Sequence, residues 1–376
     1  MTSEATSLER KLIARIEHEG ALTFRDFMHA ALYDAEHGYY NTERLKIGPQ
    51  GDYYTSSNVH PAFGAVLARA FAEMWNGLPT RAGQPFTIVE MGAGTGQLAS
   101  DILTAMRDER PAIFDHLSYV IIEVSPAMLA RQREKLSGFD ERIQWRRLEE
   151  IEGQPVAGIF FSNELVDAMP VHRVRFTGGR IEELFVTASP ASGMNKEARL
   201  ALKWGQPSTE KLQEYVERAV KHLTEGQILE INLDATRWLA RISQAIKRGF
   251  LVTIDYGDLA SHLYGPGRAG GTLRSFYKHR LIDSPLERAG EQDITSSVNF
   301  TALIDYGRDF GFETVSYERQ TAFLIRFGLI ERIAAMHDAS GSVDDLKERL
   351  AVKNLFVPGG VSDNFRVLIQ KRLNDI

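Results

Sequence analysis

The period of the apolar positions changes near residue 86. Before it they recur at helical spacing. Leu8, Leu12, Ile13 and Ile16 predict a helix with Ser7 as its N-cap, and residues 23–33 a second, opened by Thr23-x-x-Asp26 in the manner of a capping box. A third is expected from about Pro61 to Trp75, with proline in its first turn. Between them His37 to Asn58, rich in Gly, Tyr, Thr and Ser, reads as an irregular loop. From Phe86 onward short apolar runs alternate with helical stretches: strands at 86–91, 119–124, 143–146 and 158–162, helices at about 97–109 and 126–136. Such alternation predicts right-handed βαβ crossovers and a parallel, doubly wound α/β sheet.

The alternation then breaks. Residues 173–204 read as antiparallel strands, with Gly178-Gly179 as a hairpin turn. Helices are expected near 209–223 and 235–247, around a short strand at 228–233. Phe250 to Asp255 restores the buried-strand pattern, and 258–298 reads as loop. A helix at 300–310, a strand at 312–317, helices at 323–336 and 343–350 and a closing strand at 365–370 complete the chain. The expected organisation is a helical N-terminal extension and lid over residues 1–80. A core over 81–376 follows, with insertions at about 170–226 and 258–298.

Composition narrows the chemistry. With no cysteine among 376 residues, disulfides, thiolate metal sites and a cysteine nucleophile are excluded. A formal charge of −6 gives no bulk attraction to nucleic acid, which is therefore not an expected partner. The histidines show no metal-ligand spacing, so no metal is expected, and neither a G-x-S-x-G elbow nor a Walker lysine is present. No apolar run reaches the ~18 residues of a membrane span. The N-terminal residues contain neither an apolar secretory run nor a basic presequence, so the expected location is cytoplasmic.

The most informative stretch is Glu90-Met-Gly92-Ala-Gly94-Thr-Gly96, between an expected strand and an expected helix. Glycines there let a ligand approach the backbone closely, although such a turn can also be a packing device. The dinucleotide fingerprint has G-x-G-x-x-G and an acidic residue about 20 positions on. Here the spacing is G-x-G-x-G, and the strand-end acid, Glu123, comes later. S-adenosylmethionine fits better than NAD: Glu90, Gly92, Gly94 and Gly96 would bind the cofactor, and Glu123 would take the ribose hydroxyls.

A second cluster, Ser162-Asn163-Glu164-Leu-Val-Asp167-Ala-Met-Pro170, follows the fourth strand, where ligands of open parallel sheets bind. One helical turn would set Glu164 and Asp167 on the same side, a pair suited to a guanidinium. Capping of a helix by Asn163, with acids favoured at its positive end, is the competing explanation. Asp255, in Asp255-Tyr-Gly257, is a further strand-end carboxylate. The aromatic and basic loop from Gly271 to Arg280, with Asp293-Ile-Thr-Ser-Ser beyond it, suits either a phosphate contact or solvent.

These stretches, with Gly51-Asp-Tyr-Tyr-Thr-Ser-Ser, Phe63-Gly64, Gly271-Thr-Leu-Arg and Phe365-Arg-Val-Leu, resemble the MidA-type S-adenosylmethionine-dependent methyltransferases along nearly the whole chain. That family is related to a mitochondrial complex I assembly factor that methylates a protein arginine. The resemblance implies a Rossmann-like, seven-strand methyltransferase core with inserted α/β elements, S-adenosylmethionine as cofactor and a protein arginine as acceptor. A respiratory NADH dehydrogenase subunit is the implied partner. Glu164 and Asp167 would hold the acceptor, Asn163 would shape the pocket and contact the cofactor, and Asp255 is a further catalytic candidate. Tyr53 and Tyr54 would form an aromatic lid. Two rivals are a cofactor-binding assembly chaperone with little or no turnover, and a methyltransferase with a small-molecule or RNA acceptor.

Overall fold

The computed structural model describes residues 5–42, 60–79, 84–189, 198–220, 223–265, 267–278, 280–337, 352 and 364–373. The chain forms two compact units. One comprises residues 54–165, 239–257 and 306–376; the other comprises 1–53, 166–238 and 258–305.

In the first unit seven strands follow one path: Glu313–Arg319, Phe365–Leu373, Ile246–Asp258, Val156–Asn163, Phe86–Met91, Leu117–Ile122 and Ile143–Trp145. The last five run parallel to one another, and Phe365–Leu373 lies antiparallel to both of its neighbours. Chain order therefore reverses between Phe86–Met91 and Val156–Asn163. In open α/β sheets such a switch point, beyond the strands' carboxyl ends, is where ligands bind.

Alternate residues of each strand build one buried face: Phe86 and Ile88, Tyr119 and Ile121, Ile159 and Phe161, Val252 and Ile254, Val367 and Ile369. The helices Ala62–Asn76, Gln97–Glu109 and Gln320–Arg326 pack apolar residues into the same cluster. Gly64 sets the spacing of the first two: a Cβ there would stand 2.5 Å from the Asp101 Cβ.

The other unit is antiparallel. Leu22–Thr23, Arg180–Ser189, His172–Thr177 and Ile228–Ile231 form one sheet, with Arg199–Gly205 also paired to Arg180–Ser189. Gly178 and Gly179, at φ 56° and 78°, make the expected two-residue turn, where the paired positive angles suit glycine. A second sheet joins Arg280–Ile282, Arg274–Tyr277 and Asp293–Thr295.

Several local expectations are corrected. Thr6, not Ser7, caps the first helix, accepting from the Glu9 N–H at 3.0 Å. Thr23 accepts from the Asp26 N–H, but its hydroxyl donates to the Asp26 carboxylate in place of the reciprocal backbone bond. The region 258–298 is not all loop: it holds a short helix, Ala260–Leu263, and the three-stranded sheet, whose three- and four-residue runs are too short to show a period. The helix expected to reach Lys247 ends at Ala245, because Ile246 already belongs to a strand. The helix expected over 323–336 is two, Gln320–Arg326 and Leu329–His337, separated at Gly328 with φ 95°. The helix expected at 343–350 lies outside the described residues.

Candidate active site

The Phe86–Met91 strand is buried throughout and ends in the glycine turn. Gly92, Gly94 and Gly96 have φ values of 71°, 53° and 81°, left-handed geometry that glycine adopts without the steric cost a Cβ imposes. The Gly92 N–H donates to the Ile122 carbonyl at 3.1 Å, tying the turn to the neighbouring strand end. Gly96 caps the helix Gln97–Glu109 with no side-chain hydrogen bond. The first backbone N–H groups of that helix have no acceptors within it and suit an electron-rich ligand. Space beneath the turn is limited: a Cβ on Gly92 would meet Leu165 Cδ1 at 2.8 Å, and one on Gly96 would meet Leu136 Cδ1 at 3.3 Å.

Glu123 stands just past the end of the adjacent strand Leu117–Ile122. Its Oε1 accepts from the N–H groups of Val124 and Ser125, each at 2.9 Å, and its Oε2 accepts from Gln132 Nε2 at 2.8 Å. Burial raises its pKa, opposed by those hydrogen bonds. Next to it Val124 is 80% exposed, an apolar side chain standing in solvent at the rim. Glu90 is placed differently, inside the sheet, with Oε2 accepting from the Tyr119 hydroxyl at 2.8 Å. Burial pushes its carboxyl up to about 8, so it is mainly protonated at pH 7. In the described structure it braces the strand beneath the turn.

Across the switch point Val156–Asn163 ends in a polar corner. Glu164 has φ 53°, one of three described non-glycine residues in the left-handed region, a conformation that costs about 1–2 kcal/mol. Its N–H donates to the Ile254 carbonyl at 3.0 Å, and its Oε1 accepts from Asn163 Nδ2 at 3.2 Å. Asn163 Oδ1 is buried and has no hydrogen-bond partner among the described residues. Asp255 is fully buried, and its Oδ1 accepts from the Tyr256 N–H at 2.9 Å. The register pairs Ile254 with Asn163, so Glu164 and Asp255 follow paired positions on adjacent strands.

Gly92, Gly94, Gly96, Glu90, Glu123, Asn163, Glu164 and Asp255 thus share one unit, whereas Asp167 belongs to the other. The single helical turn expected to align Glu164 with Asp167 is not formed. Residues 164–169 are turns and bends, and the left-handed Glu164 cannot begin a right-handed helix. Asp167 is buried, and its carbonyl accepts from the Ser296 N–H at 3.0 Å. Asn232 Nδ2 holds the preceding carbonyl, Val166, at 3.1 Å, and the Tyr33 hydroxyl holds the following one, Ala168, at 3.0 Å. In the same unit Thr272 donates to the buried Glu230 through N–H and hydroxyl, at 2.7 and 3.0 Å. Tyr40 donates to Asp293 Oδ1 at 3.1 Å. Tyr53 and Tyr54 lie outside the described residues.

Sequence reasoning missed Gln132, which joins the glycine turn to Glu123. An amide on a helix reads as surface, and no sequence signal separates it from its neighbours.

The fit to S-adenosylmethionine rests on this geometry. Three glycines leave a side-chain-free backbone, an N-terminal helical turn offers donors, Glu123 is an oriented carboxylate, and the Asn163 carbonyl oxygen awaits a donor. Residues 66–317 match the model of a family described as "Putative S-adenosyl-L-methionine-dependent methyltransferase". The chain is 25% identical over 362 residues to Protein arginine methyltransferase NDUFAF7, mitochondrial, of Mus musculus, covering 90% of this chain and 78% of that protein. It is 26% identical over 363 residues to the Homo sapiens protein of the same name, covering 89% and 76%. A Burkholderia thailandensis protein crystallised with S-adenosyl-homocysteine superposes with a TM-score of 0.85 at 27% identity, covering 97% of this chain and 92% of that one. The mitochondrial names of the curated relatives overturn the cytoplasmic location expected above. That expectation rested on a missing leader pattern, and an absence of that kind does not fix a compartment.

Proposed function

The chain belongs to the S-adenosyl-L-methionine-dependent methyltransferase family, and from that premise we propose that it transfers a methyl group to an arginine of a partner protein. The observation that carries the acceptor assignment is the polar corner at the switch point. There the left-handed Glu164 and the buried Asp255 follow paired positions on adjacent strands, with Asn163 bonded to Glu164. Two carboxylates at neighbouring strand ends suit the planar donor fork of a guanidinium. The curated relatives, named protein arginine methyltransferases, support the same reading. The family resemblance extends it to a respiratory NADH dehydrogenase subunit as the acceptor.

In this reading Gly92, Gly94 and Gly96 admit the cofactor against the backbone, Glu123 accepts from its ribose hydroxyls and Asn163 Oδ1 accepts from a polar group of it. The bound cofactor supplies an electrophilic methyl on a sulfonium. Glu164 and Asp255 orient the guanidinium so that one nitrogen stands in line with that methyl, which is where positioning lowers the barrier most. On methylation the nitrogen would lose its proton to the Glu164 carboxylate, and the demethylated cofactor would be the leaving group.

The test is mass spectrometry of arginine methylation in cells with and without this gene product. Loss of methylarginine at one or a few protein sites is expected. Methyl groups that disappear only from RNA or metabolites would refute the protein acceptor. An unchanged methylome from a protein that binds S-adenosylhomocysteine would favour the chaperone.

A further inference from the structure

Gln132 lies on the helix Pro126–Lys135 and is completely buried. Its Nε2 donates to two acceptors, the Gly94 carbonyl and Glu123 Oε2, each at 2.8 Å. Its Oε1 accepts from the Trp145 indole N–H at 3.1 Å. The indole can only donate, so it fixes which end of the amide carries the oxygen. A flipped amide would face an N–H with an N–H and would set its oxygen against a carbonyl and a carboxylate. Backbone contact reinforces the arrangement, since a Cβ on Gly96 would lie 3.4 Å from Gln132 Cα. Nothing in the turn itself requires a side chain at this place.

We propose that Gln132 is a positioning residue for the cofactor: one amide, polarised by Trp145, fixes the glycine turn and Glu123 relative to one another. The inference rests on the assignment of the cofactor to this turn. The Gly94–Thr95 peptide is planar and trans, so a carbonyl held on the Gln132 side turns the Thr95 N–H to the opposite side. That N–H then becomes a fixed donor. On Glu123, Gln132 engages the oxygen that the backbone N–H groups of Val124 and Ser125 leave open, so the carboxylate plane is set from both ends. It also favours the ionised form of Glu123 against the burial that opposes it. The two ends of an elongated ligand are thereby presented at a fixed separation before binding, which reduces the ordering cost of binding.

Two near-isosteric substitutions in the full chain separate this role from packing. Gln132→Met keeps the buried volume and loses all three hydrogen bonds. Gln132→Glu keeps an acceptor for Trp145 and replaces the double donor with a group that, ionised, repels Gly94 O and Glu123. S-adenosylhomocysteine is the calorimetric probe, and S-adenosylmethionine is varied in steady-state kinetics. Both variants are expected to weaken S-adenosylhomocysteine binding by about tenfold or more. KM for S-adenosylmethionine should rise in parallel, with kcat at saturating cofactor changing much less. Lower melting temperatures with wild-type affinity would reduce Gln132 to a packing residue and overturn the proposal, as would wild-type binding by Gln132→Glu alone. A wild-type protein that binds no S-adenosylhomocysteine would instead remove the cofactor assignment beneath it.

Discussion

In the parallel-sheet unit the polar groups around the turn lie close together along the chain: Gln132 reaches Glu123 across nine positions and Gly94 across 38. In the antiparallel unit they tie distant segments. Thr6 reaches Ala289 across 283 positions, Tyr40 reaches Asp293 across 253 and Tyr33 reaches Ala168 across 135. Parallel strands all end on the same side, so the side chains just past their ends gather at one edge of the sheet. The antiparallel unit uses equally distinctive residues, Thr272, Asp293 and the backbone of Asp167, to hold itself together. A distinctive motif is therefore not by that fact a catalytic one.

The contrast can be broken most forcefully at Glu230. It accepts from Arg173 Nε at 3.1 Å and from both donors of Thr272. Glu230→Leu leaves a half-buried guanidinium without its carboxylate and should cost about 3–5 kcal/mol by chemical denaturation. S-adenosylhomocysteine affinity should persist at temperatures where the variant remains folded. A large loss of affinity in the folded variant would mean that the cofactor site depends on the antiparallel unit.

A smaller effect sharpens the other side. Asp101, on the helix behind the turn, has one oxygen bonded to Gln97 Nε2 at 2.8 Å and the other buried without a partner among the described residues. Burial raises its pKa to about 6 from 3.8, against the opposing Gln97 bond and the charge of Lys135. The folded chain holds this proton more tightly than the unfolded one. Stability therefore falls as pH rises from about 4 through about 6 and stays reduced above. Asp101→Asn keeps an acceptor for Gln97 and should be more stable than the wild type by about 1–3 kcal/mol at pH 8, with the gain gone at pH 4. Urea melts at the two pH values measure it, and an equal gain at both would contradict the titration.

The same contrast explains what the sequence disclosed. The strand, the glycine turn, Glu123 and the Asn163–Glu164 corner were legible because each is a local event: a buried run, positions that require glycine, and polar residues just past a strand. The three-stranded sheet within 258–298 was not, since its strands are too short for a period and their pairing is set by residues far apart. Glu164 and Asp167 misled for a related reason. Their spacing suits a helix, but a single left-handed residue redirects the chain. Gln132 was invisible because its role exists only once the Gly94 carbonyl and the Glu123 carboxylate have been brought above it.

The central claim is that the glycine turn of the parallel unit holds the cofactor. Titration of S-adenosylhomocysteine into the wild-type chain and Gly94→Val tests it most directly, with circular dichroism as the check on folding. At φ 53° a β-branched residue is strained, and its side chain would occupy the backbone surface assigned to the cofactor. One-to-one binding to the wild type and no measurable heat with a folded Gly94→Val is the result this account predicts. Equal affinity in the two proteins would contradict it.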